Sequence, residues 1–416
     1  MASITNGSAN TLESPLTEKK GILGQPIAVW AVFFASVIAF MGMGLVNPIL
    51  RELSMQLKAA PSEVTLLYTS YNSVMAVAML ITSTVSSRLG MKWTLISGIG
   101  IIAVMSFFGG FADNIWTLVG LRAGWGLGNA LFVATALSAI VSLSNSGAAK
   151  AIILYEAAVG IGMSVGPWLG GTLGDISWRE PFFSVSILMV AAFLLLTFIM
   201  PKPKPAAAQA AGRAGSQISL LAPFRALKHR SLLVLGIVAA LYNIGFFTIM
   251  AYAPFVMQLE PKEMGYVFLG WGVLLAITSV YVAPILQRKL GTLKSLVSML
   301  VLFVADLVVM GVFTDTKETV ICAVIFAGAI LGNTNTLITT AVMGAAPVER
   351  STASAAYSFL RFIGAAISPY MSGKLAEHFN SHVPFIVGAG FVLLSILFIG
   401  LNLKHIKHVD RLKASH

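Results

Sequence analysis

The sequence predicts an all-α integral membrane protein, built from twelve transmembrane helices in two parallel six-helix halves. Three observations carry that reading. Of the 416 residues, 57% are hydrophobic and 10% charged, against about 25% charged in a soluble domain. The apolar residues gather into twelve long runs. The fourth and fifth runs recur as the tenth and eleventh, in the same order.

The runs lie near residues 27–50, 63–86, 93–112, 115–141, 150–173, 181–200, 231–258, 263–286, 294–313, 318–345, 351–376 and 383–402. Each approaches or exceeds the ~20 residues that a bilayer-crossing helix needs. Ahead of them, residues 1–25 are polar and include Lys19 and Lys20; a disordered segment is expected there. No small-residue cleavage pattern follows the first run, so it reads as a retained helix and not a signal peptide. Residues 26–200 form the first half. Residues 201–230 are the one long polar connection, extended at its Pro-Lys start and flexible through its Ala-Gly-Ser middle. Leu220–Leu227 is expected to form a short amphipathic helix on the membrane surface. Residues 231–403 form the second half, and residues 404–416 a basic tail.

The net charge of +11 raises the question of nucleic acid, and topology answers it. With both termini placed in the cytoplasm, nineteen of the 27 Lys and Arg residues fall in cytoplasmic segments and six in outer ones. Arg122 and Arg361 fall within spans. That is the asymmetry of a membrane protein with basic residues inside, and nucleic acid is not needed to explain it. The single cysteine, Cys322, excludes an internal disulfide and a cysteine-based metal cluster. No HExxH, Cys/His cluster or phosphate-cradling loop is present, so neither enzyme chemistry nor a cofactor is expected.

The repeat is specific. Ala123–Thr135 matches Ala327–Thr339 at six of thirteen positions, including Leu127-Gly128-Asn129 against Leu331-Gly332-Asn333. In the fifth and eleventh runs Tyr155, Gly162, Pro167, Gly171 and Leu173 align with Tyr357, Gly364, Pro369, Gly373 and Leu375. Two parallel halves with a site between them suit a carrier in which one half rocks against the other.

The fifth run, Tyr155–Asp175, carries Gly162, Gly166 and Gly170 at four-residue spacing, with Pro167 and Gly171 beside them. Such a face lets another helix approach closely, and the proline can bend the helix there. Through the internal repeat, the eleventh span around Gly364 and Pro369 is the expected partner. The pattern GxxxGPxxGG, followed by Ser177-Trp178-Arg179, resembles the fifth-helix antiporter motif of the major facilitator superfamily. It looks most like the twelve-spanner drug:proton antiporters, and the resemblance covers about Pro26 to Leu403.

Two further motifs are similar. Ser83 to Lys92 resembles the superfamily's cytoplasmic signature, whose acidic residue helps latch the halves. Arg88, Gly90 and Lys92 match, but Ser87 holds the acidic position, so a weaker or rebuilt latch is expected. Topology anchoring is the competing role for these basic residues. Arg122-Ala-Gly-Trp-Gly126-Leu-Gly128 resembles the fourth-helix motif, to whose arginine the family gives a part in proton transfer.

Arg122, Glu156, Asp306 and Arg361 are the charges within the spans. Glu156 is the titratable candidate for proton coupling, with Arg122 as a fixed charge; a static pair of Glu156 with Arg361 is the alternative. Asp306, on the ninth span, is expected outside the cavity by analogy with the fold. Relatives in the drug-antiporter group often carry an acid near Asn47, which cannot titrate. For substrate, Tyr242 and Phe246 share a helix face with Asn243, and Phe247 is adjacent; such aromatic faces suit a large amphipathic or cationic ligand. Asn47, Tyr71, Asn72, Asn129, Asn333 and Asn335 complete the expected cavity. Gly162, Gly166, Pro167, Gly170, Gly171, Ser87, Arg88, Gly90, Lys92 and Arg361 are the expected gating residues. The resemblance implies a monomeric proton-coupled exporter of drug-like compounds in the cell membrane. A dedicated exporter of one endogenous molecule is the alternative, and an importer a further one.

Overall fold

A computed structural model describes residues 25–145, 148–201, 222–343, 345, 348 and 350–411. The N-terminal segment, most of the 201–230 connection and the last residues of the tail lie outside the described residues.

Among the described residues there are twelve long helices: α1 (Ile27–Gly44), α2 (Pro61–Leu89), α3 (Met91–Gly110), α4 (Ile115–Leu143), α5 (Ala148–Gly174), α6 (Glu180–Ile199), α7 (Arg230–Met257), α8 (Pro261–Leu290), α9 (Thr292–Val312), α10 (Lys317–Met343), α11 (Arg350–His378) and α12 (Val383–Leu401). Ten are both long and apolar enough to cross a membrane. The other two, α5 and α11, are as long but diluted with glycine, serine and charge. Those residues belong on helices whose faces meet other helices and not lipid. A short helix, Ala222–Ala226, occupies part of the surface-helix segment expected at Leu220–Leu227.

Local sequence sets the ends. Pro61, Pro181, Pro261 and Pro384 stand in the first turns of their helices, where the missing N–H costs nothing. Gly90 (φ 80°) and Gly291 (φ 85°) make the tight turns that join α2 to α3 and α8 to α9, a conformation that side chains disfavour. The turns occupy matching places in the two halves.

Buried apolar residues form two clusters. One draws on residues 29–200 together with Ala251, the other on residues 226–409. Large apolar side chains stand exposed on α3, α6, α9 and α12, among them Phe107, Phe198, Val312 and Leu397. These are the surfaces that face hydrocarbon.

The glycine face of α5 does not meet α11. Gly162 lies against Val37, Phe40 and Met41 of α1, Gly166 against the Met41 backbone, and Gly170 against the Leu45 backbone. Gly44 of α1 receives the Pro167 ring. In the second half Gly364 of α11 lies against the Ala240 backbone of α7. Each repeat therefore docks its fifth helix on its own first helix, and the expectation of a cross-half pairing is corrected. The repeat preserves a contact internal to each half, and an internal contact cannot open when the halves separate.

Contact between the halves runs along two other seams. One joins α2 to α11, the other α5 to α8. In the second, Gly171 abuts Pro261 and Gly265, Gly272 abuts Ser164, and Gly160 faces Ala276. Just beyond Ala276, α8 passes through one π-helical turn, Thr278–Val282.

Candidate functional site

The end of the bundle where α1 begins and α12 finishes is termed the terminal end, the opposite one the far end. Among the described residues three hydrogen bonds join the halves. Near the far end the Ser62 backbone N–H donates to Glu377 Oε1 (3.0 Å), and Glu377 also accepts from Lys374 (2.9 Å). Asn47 Nδ2 donates to Met250 Sδ (3.5 Å). Midway, Asn72 Nδ2 donates to the Ala365 carbonyl (3.3 Å). No ion pair or hydrogen bond joins the described parts of the halves between that level and the terminal end. The bundle is tied from its middle to its far end.

Toward the far end lies a polar cluster from the first half. The chain leaves α1 through a 3₁₀ turn, Asn47–Ile49, containing Pro48, and this turn holds Asn47 inward. The Tyr68 hydroxyl donates to Asn47 Oδ1. One turn along α2, the Tyr71 hydroxyl accepts from Asn129 Nδ2. Arg122 is 1% exposed, with its guanidinium over the rings of Tyr71 (4.8 Å) and Trp125 (4.5 Å). Its Nε and Nη1 have no hydrogen-bond partner. The charge is held by aromatic faces and not by a carboxylate, an arrangement suited to the planar guanidinium.

The second half contributes an aromatic block. Phe246 stacks on Trp271 (6.0 Å, 12° between planes) and packs against Phe247 (4.8 Å). Phe247 in turn meets Tyr68 of the first half edge-on (6.2 Å). The Tyr242 hydroxyl donates to Asn335 Oδ1 (2.6 Å). Tyr242 and Phe246 are buried, so in this conformation they are packing groups beneath the far-end closure. Asn243 and Asn333 donate into their own helices, to Ala239 and Ala329, and each leaves its carbonyl oxygen unpaired.

Nearer the terminal end, each half places one charge within a span, Glu156 on α5 and Arg361 on α11. Glu156 of α5 is exposed yet lies deep among the helices. Arg361 of α11 is partly buried, with the Phe362 ring 5.7 Å away. The two are close enough to attract, but no ion pair joins them within 4.0 Å. The static pair considered from sequence is absent in this conformation. Tyr357 lies one turn before Arg361, and its hydroxyl makes no hydrogen bond of acceptable geometry.

Ser87 and Lys92, expected in a latch between the halves, bond within the first half. Ser87 donates to Thr84 of its own helix (2.8 Å), and Arg88 is exposed without an ion pair. Lys92 is buried and donates to the carbonyls of Thr197 (2.9 Å) and Met200 (2.7 Å). It caps the end of α6, so its ammonium ties two helices of one half instead of crossing between halves. Asp306 is 7% exposed on α9, a helix packed on α10 and α12, and it lies away from both inter-half seams.

Sequence reading missed Tyr68, Trp271 and Glu377. Tyr68 stands three residues before Tyr71, a spacing that shares a face. Trp271 and Glu377 gave no signal apart from their neighbours.

The chain matches the family model described as Major Facilitator Superfamily over residues 32–369 and 260–414. It is 51% identical over 402 residues to the "Multidrug efflux protein YfmO" of Bacillus subtilis (strain 168), covering 96% of this chain and 98% of the relative. It is 23% identical over 384 residues to the "Quinolone resistance protein NorA" of Staphylococcus aureus (strain MRSA252), covering 91% and 97%. The crystal structure of the nucleoside transporter NupG superposes with a TM-score of 0.73 at 13% identity, covering 90% of this chain and 99% of that one. That likeness is one of fold. The resemblance read from the glycine-proline motif is borne out: the chain belongs to the major facilitator superfamily, a multi-pass membrane transporter and not an enzyme.

Proposed function

We propose that the protein exports hydrophobic and amphipathic drug-like compounds from a bacterial cytoplasm in exchange for protons, as a monomer with both termini inside. With that orientation the terminal end is cytoplasmic, and the conformation described above is closed to the outside. The observation that carries the reading is Glu156, a carboxylate within a span, open to solvent, facing Arg361 of the other half without touching it. The family match and the relative named as a multidrug efflux protein support it.

The physics of exchange follows from that carboxylate. An ionised group is costly inside a membrane protein unless it is paired or hydrated. Closing the halves over Glu156 strips its water. The closure becomes favourable when a proton neutralises the group or when cargo offers it a partner. One site that must be filled by one or the other, but not by both, exchanges them. Alternating access then carries cargo outward and the proton inward.

The test uses proteoliposomes with an imposed pH gradient and a panel of lipophilic cations and neutral drugs. Wild type accumulates cargo only with the gradient. Glu156→Gln is expected to retain binding of the neutral drugs and to lose gradient-driven uptake. Gradient-driven uptake at the wild-type rate in that variant removes Glu156 from the coupling step.

A further inference from the structure

We propose that Glu156 and Arg361 form a two-ended clamp for zwitterionic amphipathic molecules. A cationic group lies against Glu156, and a carboxylate or other anionic group against Arg361. The inference rests on the export reading and names the class of cargo.

Each half contributes one end. Glu156 stands on α5 and Arg361 on α11, and no described residue bridges them by a hydrogen bond or ion pair. Neither has a hydrogen bond or ion pair of acceptable geometry to a described residue. Two opposite charges held apart within a bundle are an incomplete arrangement, because neither forms the ion pair that would offset its desolvation. A molecule carrying both charges completes it.

The arginine end is built to present its fork. Only Nε among the guanidinium nitrogens is sealed from solvent. The Phe362 ring lies 5.7 Å from its carbon, and the phenols of Tyr242 and Tyr357 stand close by. Packing on that side leaves the terminal nitrogens to meet an anion in two-point fashion. At the other end the Tyr155 ring packs against Phe40 of α1 (6.0 Å), and its hydroxyl makes no hydrogen bond to Glu156.

The remaining charges within the spans cannot serve. Arg122 is closed between Tyr71 and Trp125, and Asp306 lies on α9 away from the space between the halves. A purely cationic cargo would be drawn by Glu156 and repelled by Arg361. A purely anionic one would meet the reverse. A zwitterion gains at both ends, and a proton on Glu156 releases its cationic end.

The test measures binding to the detergent-purified full-length chain with no gradient. One aromatic amino acid scaffold supplies the probes: the free amino acid, its methyl ester (cation only), and its N-acetyl acid (anion only). Wild type is expected to bind the zwitterion at least about tenfold more tightly than either single-charge form, the worth of one charge-assisted contact. Arg361→Gln should bring the zwitterion to the level of the ester, and Glu156→Gln to the level of the N-acetyl acid. Equal wild-type affinity for the zwitterion and either single-charge form overturns the clamp, as does an unchanged ranking in both variants. Gel filtration reports the fold of each variant. If Arg361→Gln aggregates, Arg361→Lys keeps the charge and must keep the preference for the zwitterion; its loss there overturns two-ended recognition by charge. Vesicle transport is scored separately. Ranked binding without any transport overturns the export reading and leaves the clamp, whereas export without ranked binding overturns the clamp alone.

Discussion

Two glycines on α5, five residues apart, should report on different events. A Cβ at Gly166 would stand 3.0 Å from Met41 Cα and 3.1 Å from its carbonyl carbon. Those are backbone atoms of α1 in the same half, and they cannot swing aside as a side-chain tip would. A Cβ at Gly171 would stand 2.9 Å from Gly265 Cα and 3.0 Å from Gly265 N, on α8 of the other half. Overpacking of either kind costs ~1–3 kcal/mol. For Gly166→Ala that cost is present in every conformation, because α1 and α5 move together. It should lower the thermal unfolding midpoint and leave the balance of conformations unchanged. For Gly171→Ala the cost falls on the far-closed state alone. The balance should then shift toward far-end opening by about 5- to 150-fold, the factor that ~1–3 kcal/mol implies. The assay pairs unfolding in detergent with disulfide crosslinking between Thr172→Cys and Lys262→Cys across the α5–α8 seam, in a Cys322→Ser background. Crosslinking should fall in Gly171→Ala and hold in Gly166→Ala. The reverse pattern, or loss of crosslinking in both, would refute the assignment of one glycine to the half and the other to the gate.

Further outcomes follow from single contacts. Glu377→Gln weakens the tie to the Ser62 amide and should increase far-end opening several-fold, read as label accessibility of a cysteine at Thr65; unaltered accessibility would leave Glu377 without a latch role. Lys92→Ala frees the Thr197 and Met200 carbonyls and should cost ~1.5–3 kcal/mol, since the lost bonds are charged; the unfolding midpoint checks it, and transport by the surviving folded protein should continue. Phe246→Ala removes a buried ring stacked on Trp271 and should cost ~3–5 kcal/mol of stability, a larger effect than any change in cargo affinity. Tyr242→Phe loses only the hydroxyl bond to Asn335, worth ~0.5–1.5 kcal/mol, and should express as wild type.

The layout of the fold was legible because hydrocarbon imposes length and composition on anything that crosses it. The twelve runs and the recurrence of Leu127-Gly128-Asn129 as Leu331-Gly332-Asn333 both follow from that constraint. The face presented by Gly162, Gly166 and Gly170 was also legible, since three missing side chains at one spacing mean a close neighbour. Which helix fills that face was not. An internal repeat makes α5 and α11 alike, and likeness is as compatible with each docking on its own first helix as with the two docking together. The site divides in the same way. Glu156 and Arg361 are conspicuous because charge is scarce in the spans. Tyr68 and Trp271 are not, because an aromatic residue on an apolar helix gives the same sequence signal whether it packs in a core or meets the opposite half. Lys92 matches its family motif in letter, while its ammonium is spent on the end of α6, a contact 105 residues away in the chain.

The Glu377–Ser62 bond has a consequence for energy conversion. The far end is fastened by a carboxylate on the first amide of α2, whereas at the terminal end Ser87, which holds the signature's acidic position, is uncharged and bonded to its own helix. Among the described residues, hydrogen bonds fasten the far end and none joins the halves at the terminal end. On the proposed orientation, a far end tied more firmly than the terminal end makes exposure to the outside the uphill stroke. Such a carrier behaves as a rectifier. Under the proposed proton coupling, rare outward excursions would let few protons slip through without cargo, and latch release would limit turnover.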